Sequence, residues 1–98
     1  MRYEISNKAE QDLLNIEMYL LEKWNISVLE DFFEKFQEAI RILLEKKVLF
    51  QKYEDTHFHK YLLTKHNSII YSYGDEVLYI HRILQNFQNP EENYESLK

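Results

Sequence analysis

The spacing of apolar residues changes once along this 98-residue chain, and that change limits the folds that it can adopt. In the first half, apolar residues recur every three or four positions, as they do along one face of an α-helix. They form two stripes: Ala9, Leu13, Ile16, Leu20 and Trp24, then Leu29, Phe33, Phe36, Ile40 and Leu43. From residue 58 onward, apolar and polar residues alternate, as they do along a β-strand that is buried on one face. The sequence therefore predicts two helices followed by strands.

Capping residues predict where the two helices begin. Asn7 can cap the first helix, and Ser27 with Glu30 forms the S-x-x-E capping box of the second helix. The second helix is predicted to run to about Lys46. Only residues 25–26 separate the two helices, and so short a connection requires an antiparallel hairpin.

The strands complete the predicted fold. They cover residues 2–5, 58–64, 69–73 and 77–84. Consecutive strands joined by short turns form an antiparallel meander. We expect Gly74-Asp75 to form a type II′ turn, because that turn needs a positive φ at its first position. Helices and strands are each apolar on one side, so each layer should cover the other. The prediction is an α+β, two-layer fold with an N-terminal strand and an antiparallel two-helix hairpin packed on an antiparallel β-sheet (βααβββ).

Composition excludes several classes of protein. The chain has no Cys, which excludes disulfide scaffolds, thiol nucleophiles and zinc sites with thiolate ligands. Its single Gly excludes the glycine-rich loops that bind phosphate. The formal net charge of −5 is opposite in sign to that of a typical free nucleic-acid binder. No apolar stretch approaches the roughly 20 residues that a membrane span needs. We therefore expect a cytoplasmic protein with no membrane contact, forming one domain over residues 1–98.

Titratable side chains offer few candidates for chemistry. His57 and His59 lie two positions apart on a predicted strand and share a face, so they could reach one metal ion. No third ligand follows at a defined spacing, and solvated imidazoles are the favoured interpretation. The carboxylates of the first helix, Glu10 and Asp12 among them, have the spacing of a solvated helix face. The sequence thus predicts neither a metal nor a cofactor.

Six short segments, taken in chain order, form a recognisable pattern. They are Lys8-Ala9-Glu10-Gln11-Asp12-Leu13, Trp24, Phe33, Ile69-Ile70-Tyr71, Ile80-His81-Arg82-Ile83 and Gln88-Asn89-Pro90. In this order they resemble the RelE/ParE superfamily of toxins from type II toxin–antitoxin modules, over nearly the whole chain. The resemblance implies a helical hairpin on an antiparallel sheet, a link to plasmid stabilisation, and a cognate antitoxin that wraps the toxin and blocks it. One branch of the superfamily cleaves mRNA on the ribosome, and the other inhibits DNA gyrase without being a nuclease.

The two branches differ in the site residues that the resemblance implies. The nuclease branch implies basic residues on adjacent strands that hold the scissile phosphate, and a group that takes the 2′-hydroxyl proton. At the matching positions this chain has His59 and Tyr61, then Ser68 and Phe87 where the pattern has Arg, while Tyr94 matches the terminal Tyr. The absent Arg residues favour the ParE-like branch, in which the toxin is not an enzyme and binds an essential protein, DNA gyrase.

Two other functions remain open. If the chain is a ribosome-dependent mRNA endoribonuclease, its catalytic candidates are His59, Lys60, Arg82 and Tyr94. If it is a non-toxic module that kept the fold, only partner binding remains. The candidates for partner binding are Tyr19, Trp24, Phe32, Lys60, Arg82 and Phe87. The aromatic residues on the helices are candidates as anchors at the rim of the apolar stripes, although aromatic residues at this spacing are also typical of a core.

Overall fold

The structure, a computed structural model, describes residues 1–45, Lys52 and residues 57–85. Its elements, in chain order, are β1 (Arg2–Ile5), α1 (Asn7–Lys23), α2 (Ile26–Glu45), β2 (His59–Thr64), β3 (Asn67–Gly74) and β4 (Val77–Gln85). The helices form one layer and the four strands form the other. The predicted α+β class and the βααβββ order are confirmed.

The sheet has the strand order β1-β4-β3-β2 and is mixed. The pairs β2–β3 and β3–β4 are antiparallel, as predicted. Strand β1 instead runs parallel to β4, with Arg2 opposite Val77 and Ile5 opposite Ile80. The prediction of an antiparallel sheet is therefore correct for the last three strands and wrong for β1. Alternation within a short segment indicates which face is buried, but it does not indicate the direction of the neighbouring strand.

The core lies between the helices and the sheet. Ile16 of α1, Phe36 of α2 and Ile69 of β3 belong to one buried cluster. The hydroxyl of Tyr73 donates a hydrogen bond to the carbonyl oxygen of Leu43 at 2.6 Å, which joins the last turns of α2 to β3. Burial raises the pKa of Tyr73 to about 12. The hairpin is thus attached to the sheet by apolar packing and by this hydrogen bond.

Both helices are capped by a residue that precedes the predicted cap. The Oγ of Ser6 accepts a hydrogen bond from the backbone N–H of Ala9 at 3.0 Å, so Ser6 rather than Asn7 caps α1. The Oδ1 of Asn25 accepts from the backbone N–H of Val28 at 3.1 Å, and residue 27 lies within the first turn of α2. Ser and Asn cap helices about equally well, so residue preference alone does not choose between neighbouring candidates.

The turn between β3 and β4 also differs from the prediction. Gly74 pairs with Val77, and the positive φ of 59° occurs at Glu76 rather than at Gly74. The predicted type II′ turn is therefore wrong. Gly74 instead avoids a close contact, because a Cβ atom there would lie 2.6 Å from a ring carbon of Tyr79, and that ring would have to shift.

Candidate functional site

The start of α1 covers the edge of β4 beyond the point where β1 ends. Strand β1 pairs with β4 only as far as Ile80. Beyond that point, the Oγ of Ser6 donates to the carbonyl oxygen of His81 at 2.7 Å. The Oδ2 of Asp12 accepts from the backbone N–H of Ile83 at 2.9 Å. The side chains of Ser6 and Asp12 thus form hydrogen bonds with backbone groups of β4 that a longer β1 would have paired with.

Asp12 also forms a two-point ion pair with Arg82. The guanidinium donates from Nε to Oδ2 at 2.7 Å and from Nη2 to Oδ1 at 2.9 Å. The two side chains of Arg82 and Asp12 are only 15% and 13% exposed. We call the ion pair, with the backbone bond to Ile83, the Asp12–Arg82 junction. Because a bidentate pair fixes both partners in orientation, Arg82 is held against the helix.

The junction corrects the expectation that Asp12 faces solvent. Asp12 lies three positions after Ala9 and four before Ile16, and both of those residues are buried. Residues at these spacings are neighbours on a helix surface, so Asp12 borders the buried stripe. This spacing was the signal in the sequence that could have identified Asp12 as a carboxylate at the border of the core.

A second cluster lies on the outer face of the sheet, the face directed away from the helices. The Oγ of Ser72 and the Nε2 of His81 are 2.7 Å apart. The ring of Phe58 lies 4.6 Å from the imidazole, centroid to centroid, and the ring of Tyr79 stacks on it at 6.2 Å. We call these four residues the His81 cluster. Burial lowers the pKa of His81, so the imidazole is neutral at neutral pH.

A β-bulge explains why the sequence did not reveal this cluster. Ile70 is opposite Arg82 and Tyr71 is opposite Ile80, so no β3 residue stands opposite His81. An extra residue of this kind redirects side chains locally, and bulges are common beside functional sites. Ser72 was not singled out from the sequence, although alternation places it on the face opposite Tyr71. A neutral imidazole beside a hydroxyl can accept a proton, so the cluster is capable of acid–base chemistry.

An apolar groove lies between the helical hairpin and the end of the sheet, with a volume of about 460 Å³. Its lining residues, which define the hairpin groove, are Ile16, Tyr19, Leu20, Trp24, Val28, His66, Asn67 and Gln85. Tyr19 and Trp24 were predicted as partner anchors, and they are 40% and 64% exposed. The third predicted aromatic anchor, Phe32, is buried in the core and has too little exposed surface for a partner to contact. Phe87 lies outside the described residues.

Of the predicted nuclease residues that the structure describes, His59 lies on the opposite face of the sheet from Lys60 and Arg82. His59 and Lys60 are consecutive on β2, so their side chains leave opposite faces of the sheet. The imidazole of His59 lies 5.5 Å from the ring of Tyr71, which belongs to the core beneath the helices. Arg82 is paired with Asp12, and Tyr94 lies outside the described residues. Lys60 and Arg82 both stand opposite Ile70, so both leave the outer face of the sheet, where the His81 cluster also lies.

The described residues contain neither a metal-binding cluster nor a membrane-spanning helix. Within residues 1–45, 52 and 57–85, no three side chains of His, Asp or Glu lie together in a way that could hold a metal ion. In that part of the chain, neither helix combines the length and the apolarity that crossing a membrane requires.

Comparison with solved structures identifies the fold. A chain of the structure described as the chromosomal ParDE TA system from P. aeruginosa superposes with a TM-score of 0.74 at 16% sequence identity, covering 87% of this chain and 95% of that one. A copper-bound mutant toxin from Helicobacter pylori superposes with a TM-score of 0.58 at 20% identity, covering 87% of this chain and 93% of that one. No family model and no curated protein sequence matches this chain. The chain thus shares the fold of these two chains, and the α+β fold that the RelE/ParE resemblance implied is confirmed.

Proposed function

We propose that this chain is the toxin of a type II toxin–antitoxin module, of the ParE-like branch, acting in the cytoplasm. It binds an essential protein, DNA gyrase, and is neutralised by a cognate antitoxin, in a module of the kind that stabilises plasmids. The observation that carries the proposal is the fold shared with the ParDE chain and with the H. pylori toxin. The pairing of Arg82 with Asp12 also supports a function other than RNA cleavage, because it engages a cation that the nuclease set would need.

The hairpin groove is the proposed binding site for the antitoxin. It is lined mainly by apolar side chains, and polar groups of His66, Asn67 and Gln85 lie at the sheet end. An apolar pocket with a few polar groups at its edge suits an inserted aromatic or aliphatic side chain. Trp24 is 64% exposed at its border, and Trp and Tyr are among the residues that most often dominate binding energy at interfaces.

Expression of the chain tests the function. We expect growth arrest on induction, rescue by the protein encoded in the adjacent reading frame, and inhibition of gyrase supercoiling by the purified chain. Arrest without any effect on gyrase would remove the gyrase target and leave the toxin assignment standing. Normal growth at high expression without the antitoxin would instead identify a non-toxic binding module.

Substitution of Trp24 tests the groove. We expect Trp24→Ala to weaken antitoxin binding by about tenfold to about a thousandfold, the range for a dominant interface aromatic. Ile26→Ala is the matched control, because Ile26 is 58% exposed and does not line the groove. Calorimetric titration of both variants with the antitoxin measures the difference. Equal losses in the two variants would contradict binding in the groove.

The His81 cluster favours a second candidate function, that of a ribosome-dependent mRNA endoribonuclease. A neutral imidazole can take the proton of a 2′-hydroxyl, and the rings of Phe58 and Tyr79 offer surfaces on which RNA bases can stack. His81 replaces His59 as the proposed base in this alternative, because His59 lies beside Tyr71 on the helix side.

Mapping of mRNA 5′ ends after induction separates the two functions. A nuclease produces cuts at fixed codon positions, and His81→Gln should abolish them. His57→Gln is the control, since His57 is exposed and is not a member of the cluster. Absence of induced cuts, together with growth arrest, would exclude the nuclease.

A further inference from the structure

The solvent side of α1 carries a second apolar stripe that the core does not use. Leu14, Met18 and Leu21 are separated by four and three positions, so they share one face of the helix. They are 47%, 60% and 46% exposed, whereas the buried residues of α1 are Ala9 and Ile16. We call the three exposed residues the Met18 stripe. A surface helix ordinarily has one apolar face, so α1 has one more than its packing requires.

Carboxylates border the Met18 stripe on both sides. Glu10 and Glu17 lie four positions before and three after Leu14 on one side, and Glu22 lies four positions after Met18 on the other. A basic group at the end of the helix, Lys23, lies 4.0 Å from the Glu22 carboxylate. Residues 7–45 contain nine acidic and four basic residues, a net charge of −5. The stripe is therefore an apolar surface set in a negative field.

The charges decide which occupant fits. A second copy of the chain would place these carboxylates against their own equivalents, and like charges facing each other across a helix pair oppose association. An anionic membrane surface is repelled for the same reason. A helix with an apolar stripe bordered by Lys or Arg matches both the apolar residues and the carboxylates.

We propose that the Met18 stripe is a docking surface for a basic amphipathic helix of a partner protein. This surface is separate from the hairpin groove, because the groove uses Ile16 and Leu20 on the buried side of the same helix. The inference goes beyond the proposed function, since it requires neither toxicity nor an antitoxin. It allows α1 to contact one protein through the groove and a second protein through the stripe.

A peptide titration with the full chain tests the docking surface. The probe is a fluorescent three-heptad peptide with Leu at positions a and d and Lys at e and g, and its matched partner has Glu at e and g. We expect anisotropy to show that the Lys peptide binds at least about tenfold more tightly than the Glu peptide. Binding should weaken as NaCl rises from about 0.05 M to about 0.5 M, because exposed charges are screened over this range.

Variants separate the apolar and charged contributions. Leu14→Gln with Met18→Gln should weaken binding of the Lys peptide by about tenfold or more, and both substitutions keep a good helix former at an exposed position. A triple charge variant, E10Q/E17Q/E22Q, should weaken binding and reduce its salt dependence. The matched control, E30Q/D31N/E34Q on α2, removes the same charge away from the stripe and should change binding by less than about twofold. Circular dichroism of each variant checks that the helices are intact.

Several results would overturn the proposal. Equal binding of the two peptides, no binding of the Lys peptide, or equal losses in the stripe variants and in the α2 control would each do so. Sedimentation equilibrium that shows a dimer abolished by Leu14→Gln with Met18→Gln would assign the stripe to a second copy. Stripe-dependent binding to vesicles of phosphatidylcholine and phosphatidylglycerol would assign it to a membrane surface.

Discussion

His81 and Arg82 are neighbours on β4, yet their surroundings give them opposite properties. Arg82 is fixed by two hydrogen bonds to Asp12, in an ion pair whose side chains are mostly buried. His81 lies on the outer face beside Ser72 and two aromatic rings, where burial lowers its pKa and keeps it neutral. One residue of the pair attaches a helix to the sheet, and the other retains acid–base capacity.

The difference shows that charge alone does not identify a functional residue. The resemblance to the RelE/ParE toxins made Arg82 a candidate for RNA or partner binding, and Asp12 holds its guanidinium. His81 belonged to the same segment and was not a candidate, although its surroundings suit proton transfer. The contacts of each side chain, rather than its residue type, separate a structural group from a chemical one.

The largest effect is expected at the Asp12–Arg82 junction. Asp12→Ala removes both hydrogen bonds from Asp12 to the mostly buried Arg82 guanidinium, and it removes the acceptor of the Ile83 N–H. We expect the free energy of unfolding to fall by about 3 kcal/mol, as when one partner of a buried ion pair is lost. Urea denaturation followed by circular dichroism measures the change.

An exposed ion pair provides the control for that measurement. Glu38 lies 3.5 Å from Arg41 on α2, and both side chains are more than half exposed. Glu38→Ala should cost no more than about 0.5 kcal/mol, the usual value for an exposed helical pair. Similar losses for Asp12→Ala and Glu38→Ala would show that the junction does not stabilise the fold in the way that we describe.

A smaller effect is expected at Gly74, next to the His81 cluster. The Cβ of an alanine there would lie 2.6 Å from a ring carbon of Tyr79, so this ring must move. We expect Gly74→Ala to lower the free energy of unfolding by about 1 kcal/mol, because an overpacked site forces side chains to shift. The NMR signals of the His81 ring should shift as well, since Tyr79 stacks on it. Asp75→Ala in the same turn should leave those signals unchanged. A shift of the His81 signals in Asp75→Ala but not in Gly74→Ala would contradict the described packing.

The smallest effect is a dependence of stability on pH through His81. Its pKa in the folded protein lies below the ordinary value of 6.5, so acidification protonates this histidine in the unfolded chain first. The contribution of His81 to the free energy of unfolding is therefore complete above about pH 6.5, and it is lost as the pH falls through the pKa of the folded state. His81→Gln should flatten this part of the stability curve. An NMR titration that places the folded pKa at or above 6.5 would contradict the description of the cluster.

Most of the architecture could be predicted from the spacing of apolar residues. The stripes that begin at Ala9 and Leu29 predicted α1 and α2, and the alternation after residue 58 predicted the three antiparallel strands. The helix caps were wrong because Ser6 and Asn25 cap as well as their neighbours do. The parallel direction of β1 could not be predicted, because it depends on which edge of the three-stranded meander β1 joins, and only the tertiary structure shows that this edge is β4.

The candidate sites could be predicted only in part. Tyr19 and Trp24 were identified as anchors from the helical pattern, and they line one groove, whereas Phe32 of the same pattern lies in the core. Helical spacing predicts that a residue lies near the apolar stripe, but the position of the opposing sheet decides whether it is covered. The pairing of Ser72 with His81 depends on a bulge that no periodicity encodes.

The sequence by itself determined the class of fold, the order of its elements and the absence of thiol and glycine-loop chemistry, because these depend on local periodicity and on composition. Only the tertiary structure decided that Arg82 is held by Asp12, that His81 is neutral beside Ser72, and that α1 leaves the Met18 stripe uncovered. Each of these properties arises from contacts between residues far apart in the chain or from the lack of such contacts. Local patterns do not contain that information.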